Sequence, residues 1–357
     1  MPQKFLLFSG HNDRAAIALC RFFEANGLDF VVVARATNDM IRNSRYRNRI
    51  IFTRETPTVD FKLFVDVAHA AGGCTLIYCP TTEFINLFLL DNCEQIKSLG
   101  YQIHLPDAQL YHTITNKKSA ADFFSDVQGL SIPEEFALET ATVPCVVKPK
   151  ENLWNGQMLY PQIIHSPEDL QAFQDTHDPS AFFFQHYVEG CSIYFCGCLD
   201  ITGAAVGFWQ RNLGQQTGGK SIVLAREETD VPSSLNSLQD ALVHQLSASG
   251  YFGPFMVEIR RNSDTNYFIE INPRFWGPLQ LAIDVCPQLL EKFVQMSVPD
   301  FSSVSKRNLE SPCYYIWKGG MTNWEALESA SDRSVEIENI DAWDVFERKD
   351  YKDVEIA

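Results

Sequence analysis

The residues best suited by type and spacing to chemistry lie in one stretch, 253–274. Here two strands of alternating apolar and polar residues flank turn-forming residues around Asp264. A turn centred there pairs Glu258 directly with Glu270. Because side chains alternate along a strand, Asn272 lies on the same face as both carboxylates.

Two carboxylates that face each other across a sheet repel unless a cation lies between them. Magnesium prefers hard oxygen ligands and usually shares them with nucleotide phosphates. Glu258, Glu270 and the amide oxygen of Asn272 are therefore predicted to bind Mg²⁺. Arg274 follows directly and adds a positive charge that suits a phosphate.

The same register places Arg260 opposite Phe268. It also predicts an apolar face formed by Val257, Ile259, Ile269 and Ile271. The alternative is an exposed strand face with ordinary surface glutamates, one of which Arg260 neutralises.

A second motif is Gly214–Ser221, which matches the phosphate-binding pattern GxxxxGK[ST]. That loop needs a helix after it, so that the helix N-terminus meets the phosphates. The residues that follow are apolar and β-branched, which favours a strand. We therefore expect 211–220 to be a hairpin loop, with Arg211 and Lys220 directed at phosphate or at a substrate carboxylate. A P-loop kinase or NTPase remains the alternative function.

The whole chain has the composition of an ordinary globular protein, with 45% hydrophobic and 21% charged residues. Its net charge of −16 argues against nucleic acid or an anionic membrane as a partner. The 10 cysteines include no CxxC pair and are expected to be reduced. No apolar run is long enough to span a membrane or to form a signal peptide, so we expect a cytoplasmic protein.

The elements that must position these residues follow two patterns. Apolar strands alternate with amphipathic helices over 1–112, which predicts an α/β domain with a parallel sheet. Its first βα turn, Ser9–Asp13, does not match GxGxxG, so a dinucleotide site is not favoured. After Thr113 strands dominate, with a helix capped at Ser166. We divide the remainder into 113–190, 191–300 and a closing element, 301–357.

The segment Glu258…Glu270-Ile-Asn272-Pro-Arg274-Phe-Trp-Gly277 resembles the metal-binding signature of the ATP-grasp superfamily. It is most similar to the branch of carboxylate–amine ligases and carbamoyl-phosphate-synthase-like enzymes, over roughly 117–296. The resemblance implies a Rossmann-like N-terminal domain followed by two ATP-grasp lobes. It also implies two Mg²⁺ ions, or Mn²⁺ in their place, bridged by Glu270. Arg274 would then contact the phosphate being transferred.

Two lysines acquire a role through this resemblance. Lys148 ends an apolar strand, and family members use such a lysine on the nucleotide phosphates. They use another at a helix start, where either Lys117 or Lys118 stands here.

The segment 183–190 resembles the strand that holds adenine in this family. Gln185, His186, Tyr187 and Val188 lie along it, with backbone groups near the last two expected to read the base. His186 and Ser192 stand where the family usually has glutamates for the adenine amino group and the ribose. The loop 154–156 takes the place of the mobile phosphate-covering loop.

The activity implied is a ligase that uses ATP to convert a carboxylate to an acyl phosphate. A nucleophile, most often an amine, then gives an amide, ADP and phosphate. The expected partners are a small carboxylic acid and a small amine, with amino acids among the candidates, and a homodimer is left open. A regulatory module that binds nucleotide without catalysis is a further alternative. The complete set Glu258, Glu270, Asn272 and Arg274 argues against it.

Overall fold

The computed structural model describes residues 2–36, 39–150, 153–154, 157–216, 221–304, 312–321 and 343–352. Its N-terminal strands are β1 (Gln3–Phe8), β2 (Phe30–Arg35), β3 (Ile50–Arg54), β4 (Thr75–Tyr78) and β5 (Tyr101–Gln102). They pair in the order β3-β2-β1-β4-β5, and every pair is parallel. The helices between them are α1 (Asp13–Ala25), α2 (Phe61–Ala70), α3 (Glu83–Asp91) and α4 (Cys93–Ser98). The predicted parallel-sheet domain is confirmed.

Both faces of this sheet are covered, which explains why its strands are almost continuously apolar. Phe5, Leu7 and Val32 point to the side of α1, whereas Leu6 and Val33 point to the side of α2 and α3. The helices α3 and α4 are separate, because the backbone at Asn92 between them is not helical (φ −119°, ψ 23°).

Two helices, α5 (Ala108–Thr115) and α6 (Lys117–Phe124), lead to a small lobe. It contains an antiparallel sheet of β7 (Glu135–Phe136), β8 (Cys145–Pro149), β11 (Gln162–Ile164) and β12 (Phe182–His186), and a short pair, β9 (Leu153–Trp154) and β10 (Gln157–Met158). The helix α7 (Pro167–Thr176) begins with the predicted cap, because the Ser166 side chain and Asp169 form a reciprocal capping box.

The large lobe is built on a seven-stranded sheet. Its strands are β6 (Leu130–Ser131), β13 (Cys191–Leu199), β14 (Ala205–Gln215), β15 (Ile222–Glu227), β16 (Gly253–Asn262), β17 (Thr265–Asn272) and β18 (Tyr314–Ile316). They lie in the order β18-β15-β14-β13-β16-β17-β6, antiparallel except for β17 with β6. The helices are α8 (Ser233–Ala248), α9 (Leu279–Val285), α10 (Gln288–Gln295) and α11 (Lys349–Lys352).

The helices α9 and α10 are separated at Cys286 and Pro287, since proline cannot donate the helical hydrogen bond. The two helices, α9 and α10, bury their apolar residues in the same core as α1 and one face of the N-terminal sheet. That core also takes in Cys313, Tyr315 and Val345 from the C-terminal segment. None of the helices that the described residues form is long and apolar enough to cross a membrane.

Candidate active site

The hairpin of β16 and β17 places Glu258 directly opposite Glu270, as the sequence predicts. Its turn is shorter than expected, because Asn262 pairs with Thr265 and Ser263 takes a left-handed conformation (φ 51°). A bulge at Ile269 then shifts the register by one residue and restores the carboxylate pair.

The bulge corrects two details of the prediction. Arg260 faces Tyr267 and not Phe268. Phe268, and not Ile269, joins Val257 and Ile259 in the apolar core. The extra residue, Ile269, is left with its carbonyl oxygen available to a lysine.

Glu258 is the buried member of the carboxylate pair. Burial, and the neighbouring Glu270, raise the pKa of the Glu258 carboxyl well above its ordinary value. The Ser192 hydroxyl donates to Glu258 Oε1 at 3.3 Å and accepts from Asn212 Nδ2 at 2.8 Å. Gln210 Nε2 in turn donates to Asn212 Oδ1 at 2.7 Å. Three polar side chains therefore hold Glu258 in place.

Asn272 and Arg274 extend the same cluster. Asn272 Nδ2 donates to Glu270 Oε1 at 2.7 Å, and Arg274 Nη2 donates to Asn272 Oδ1 at 2.7 Å. Among the described residues, no group of three or more His, Cys, Asp and Glu side chains gathers as a metal site. The oxygen ligands here are two carboxylates and an amide, whose oxygen keeps a second lone pair. This hard, negatively charged set fits Mg²⁺, because a cation would remove the repulsion that raises the pKa of Glu258.

Two lysines face these carboxylates from neighbouring elements. Lys148 lies on β8, is 8% exposed, and donates from Nζ to the carbonyl oxygen of Ile269 at 3.3 Å. Burial lowers the pKa of Lys148 to about 8, although Glu270 and Glu258 act in the opposite direction. Lys117, the first residue of α6, also has a pKa lowered by burial and opposed by Glu270 and Glu83.

The structure distinguishes the two candidate lysines at the start of α6. Lys118 is exposed and pairs with Glu135 at 4.0 Å. Lys117, by contrast, lies within electrostatic reach of Glu270. Of these two lysines, Lys117 is the one that lies beside the carboxylate cluster.

The predicted adenine segment occupies the end of β12 and the residues after it. Gln185 is buried, donates weakly to the carbonyl oxygen of Pro133 at 3.5 Å, and its buried Oε1 has no hydrogen-bond partner in the described part of the chain. His186 is exposed and lies 3.7 Å from Glu134. Tyr187 and Val188 are partly exposed. Ser192 donates to Glu258, as described above, and lies on the same face of the sheet as that carboxylate.

The expected position of Arg211 is wrong in two respects. It lies within β14, which continues to Gln215, and not in a loop. It also pairs with Ile193, whose side chain lies in the core on the far face of the sheet from Glu258. There the Arg211 guanidinium binds the buried carboxylate of Glu228. The alternation that placed Glu258 and Glu270 together would have placed Asn212, and not Arg211, on the site face.

The loop from β14 to β15 bears on the P-loop alternative. Residues 222–227 form a strand antiparallel to β14, so the helix that a P-loop requires after Ser221 is not there. Lys220 lies outside the described residues, as do 155–156 of the predicted phosphate-covering loop.

The N-terminal domain supplies residues that the sequence interpretation missed. A cleft of about 330 Å³ separates Glu270, Asn272 and Arg274 from the loops after β1 and β4. These loops and the first turns of the helices that follow them, α1 and α3, contribute His11, Asn12, Arg14, Thr81, Thr82 and Glu83. The strand order changes direction between β1 and β4, and parallel sheets bind ligands at such a point. The alternation of strands and helices was visible in the sequence, and this rule would have indicated both loops.

Hydrogen bonds fix these loops against the segment that follows β17. Asn12 Nδ2 donates to the carbonyl oxygens of Thr81 at 3.2 Å and of Phe275 at 3.3 Å. The Phe275 amide donates to the carbonyl oxygen of Pro80 at 2.8 Å. Burial raises the pKa of the Glu83 carboxyl, with Arg274 opposing and Glu270 adding to that effect. The cleft therefore combines fixed positive and negative charges from both domains.

No protein-family profile and no curated protein matches the sequence, but solved structures resemble the fold. The biotin carboxylase domain of 2-oxoglutarate carboxylase from Hydrogenobacter thermophilus, in complex with MgADP, ADP and bicarbonate, has a TM-score of 0.64 at 13% identity. The match covers 87% of this chain and 73% of that one. Biotin carboxylase from Campylobacter jejuni, in a β,γ-ATP complex, has a TM-score of 0.63 at 13% identity, over 85% and 73% of the two chains.

A third similar structure is the ADP complex of an N5-carboxyaminoimidazole ribonucleotide synthetase. Its TM-score is 0.63 at 14% identity, over 88% of this chain and 81% of that one. All three are ATP-grasp proteins. The chain therefore has the ATP-grasp fold, and its resemblance to the ATP-grasp superfamily is confirmed at the level of the fold.

Proposed function

We propose that this protein is an ADP-forming ligase that joins a carboxylic acid to an amine through an acyl phosphate. The observation that carries the proposal is the opposed pair of buried Glu258 and partly exposed Glu270. Lys148 faces the pair, and Glu270 lines a cleft shared with the N-terminal domain. Two carboxylates directly opposite each other destabilise a sheet unless a cation lies between them. Phosphoryl transfer is the reaction for which such a cluster is suited.

Each residue has a part in binding or transfer. Glu258, Glu270 and Asn272 would hold Mg²⁺, as two ions or with Mn²⁺ in their place, and the metal would neutralise phosphate charge. Lys148 and Lys117 bind the phosphates of ATP. Arg274, which is held by Asn272, orients the phosphoryl group during its transfer. Lys220 stays a candidate for the substrate carboxylate.

The adenine is proposed to lie against the end of β12. The buried Oε1 of Gln185 can accept a hydrogen bond from the adenine amino group, because it has no other partner in the described residues. Backbone groups at Tyr187 and Val188 would bind the base edge, His186 stays a candidate beside it, and Ser192 would lie towards the ribose. A homodimer also stays a proposal; one similar structure is described as a domain dimer.

In the first step the bond between the γ-phosphorus and ADP breaks, and a bond from that phosphorus to a carboxylate oxygen forms. In the second step the amine lone pair attacks the acyl carbon. The bond from that carbon to the phosphate oxygen breaks, phosphate leaves with the electron pair, and the amine loses its proton to water. The products are an amide, ADP and phosphate.

The test is ADP release by purified protein, with ATP, Mg²⁺ and a panel of acid and amine pairs. We expect release that depends on both substrates, and its loss in Glu270→Gln, which removes one charge without changing shape. The matched control is Glu94→Gln, because Glu94 is 88% exposed and does not line the cleft. Turnover by Glu270→Gln at the rate of the control would contradict the proposal.

A further inference from the structure

A second cavity of about 660 Å³ adjoins the phosphoryl-transfer cleft. The two cavities share His11, Arg14 and Ser221 in their walls. The second one lies between the N-terminal domain and the C-terminal segment. Its volume is in the range of sites that hold small organic ligands.

Arg14 is fixed at the boundary between the two cavities. Its Nη1 donates to the carbonyl oxygen of Ile222 at 3.0 Å, and its Nη2 donates to Ser221 Oγ at 3.3 Å. The guanidinium also stacks on the ring of Trp317 at 4.1 Å. Any side chain at position 277 would come within 2.7 Å of that guanidinium, so Gly277 is required for this approach.

One part of the wall of the second cavity is formed by large apolar and aromatic side chains. Met40 comes from the N-terminal domain, and Trp317, Phe346 and Tyr351 come from the C-terminal segment. The rings of Phe346 and Tyr351 lie 5.1 Å apart at centroid. Such a surface favours an apolar ligand body, particularly one with an aromatic ring.

Asp13 provides the anionic group in this apolar setting. Its Oδ1 accepts from the Gly10 amide at 2.6 Å. Burial and the neighbouring Asp39 raise the pKa of Asp13 to about 6, against the opposing effect of Arg35 and Arg14. Its carboxylate is therefore poorly solvated and would be stabilised by a cation.

The remaining charged groups of the cavity also favour a cationic ligand over an anionic one. Asp344 and Glu347 add negative charge, whereas Lys318 and the fixed Arg14 are positive. Burial together with Arg54 and Arg35 lowers the pKa of His11 to about 4, so His11 adds no charge near neutrality. An anionic ligand would meet more carboxylates than cations here.

We propose that the second cavity binds the amine substrate as an ammonium ion on an apolar, ring-sized body. The ammonium contacts Asp13, and it loses one proton to water before its nitrogen, then carrying a lone pair, attacks the acyl carbon. The body lies among Met40, Trp317, Phe346 and Tyr351. This inference rests on the proposed function and names the class of its nucleophile. Arg14 then separates the amine side from the acyl phosphate side.

The test is calorimetric binding at pH 7.5, without ATP, of three probes of similar size. These are 2-phenylethylamine, 2-phenylethanol and 3-phenylpropanoate, with ethylamine as a probe that lacks the ring. We expect the aromatic amine to bind at least tenfold more tightly than each of the others. Equal binding of the alcohol and the aromatic amine, or no binding of the amine, would overturn the inference.

Variants locate the binding. Asp13→Asn keeps an acceptor for the Gly10 amide but removes the charge, and should weaken amine binding at least tenfold. Phe346→Ala should weaken it through the apolar wall. Asp29→Asn is the control, because Asp29 is half-exposed and pairs with Lys4 and Arg49 elsewhere on the domain. If all four proteins bind the amine equally, the cavity is not its site.

Two assays separate this inference from the proposed function. Amine binding should persist in Glu270→Gln, since Glu270 does not line the second cavity. ADP release with an acid and hydroxylamine, a small nucleophile that needs no apolar site, tests acyl phosphate formation alone. Release with hydroxylamine but no binding of 2-phenylethylamine overturns only the amine site. Binding without any ADP release overturns only the ligase.

Discussion

Lys148 shows how a single residue combines burial and charge. It ends a strand of the small lobe, yet its Nζ reaches the bulged residue Ile269 of the large lobe. A lysine this buried is costly unless an anion compensates it. Glu258 and Glu270 give part of that compensation, and the phosphates of ATP are proposed to give the rest.

Lys148→Ala should therefore weaken the binding of a non-hydrolysable ATP analogue with Mg²⁺ by about ten- to a hundredfold, or ~1.5–3 kcal/mol. Lys150→Ala is the matched control, since Lys150 is exposed and donates to the Ser180 carbonyl oxygen. The measurement is calorimetric titration of both variants and the wild type. Equal affinities in all three would show that Lys148 does not contact the nucleotide.

His104 gives a pH dependence of stability. Burial lowers its pKa to about 4, and its Nε2 lies 2.5 Å from Ser297 Oγ. The unfolded chain takes up a proton near pH 6.5 and the folded protein only near pH 4. The contribution of His104 is therefore complete above pH 6.5 and is lost as the pH falls towards 4, by at most about 3 kcal/mol.

The measurement is the free energy of unfolding in urea at pH 7.5 and pH 4.5, for wild type and His104→Gln. We expect the variant to lose less stability on acidification than the wild type does. An identical loss in both would mean that the titration of His104 is not altered by folding.

At the scale of elements, the hairpin of β16 and β17 shows what the sequence could and could not predict. Alternating residues around Asp264 were sufficient to place Glu258 against Glu270, because the period of a strand is fixed. The shorter turn and the bulge at Ile269 were not visible, since the two shifts cancel at the carboxylates. The two shifts change the pairing of Arg260 and the faces on which Phe268 and Ile269 lie, and there the prediction was wrong.

The strand β14 illustrates a different error. The glycine-containing motif Gly214–Ser221 was interpreted as part of one hairpin loop over 211–220, so the strand was ended too early and Arg211 was assigned to that loop. In the structure the edge-to-edge pairing with β15 continues through Gly214, with register shifts on both sides of it. Tertiary pairing thus outweighs local turn preference, and the site gains Asn212 in place of Arg211. The cleft residues of the N-terminal domain were missed because no motif marks them.

The turn between β12 and β13 depends on Gly190. It has φ of +129°, and a Cβ there would lie 2.1 Å from the carbonyl oxygen of Arg261. Gly190→Ala should cost more than about 2 kcal/mol, because the clash adds to the strain of positive φ. Gly250→Ala is the control, with φ of +76° but no atom within 4 Å, and should cost only about 1 kcal/mol. Urea unfolding of both variants gives the comparison, and equal costs would show that the backbone relaxes at Gly190.

At the scale of the whole molecule, Arg21 joins three parts of the chain. Its Nε donates to both carboxylate oxygens of Asp350, at 2.9 and 2.8 Å. Its Nη1 donates to Gln280 Oε1 on α9 at 2.9 Å, and its Nη2 to the Val345 carbonyl oxygen at 2.7 Å. The ion pair is buried, with side-chain exposures of 11% and 7%.

Arg21→Ala should destabilise the protein by about 3–5 kcal/mol, because it leaves the buried carboxylate of Asp350 uncompensated. Arg49→Ala serves as control, since its pair with Asp29 is about half exposed and contributes at most ~1 kcal/mol. Thermal unfolding and urea titration measure the loss of stability in both variants. A loss of stability no greater than in the control would mean that the C-terminal segment is not held through Arg21.

The core that α1 shares with α9, α10 and the C-terminal segment has a consequence for biosynthesis. A ribosome releases the N-terminal strands and α1 long before residues 279–294, which cover the exposed side of that helix, have been made. During this interval Ile17, Leu19 and Phe23 have no partner from the later part of the chain. We therefore expect the nascent N-terminal region to bind chaperones that recognise apolar segments, and to acquire its native stability only after residues 279–294 have been synthesised.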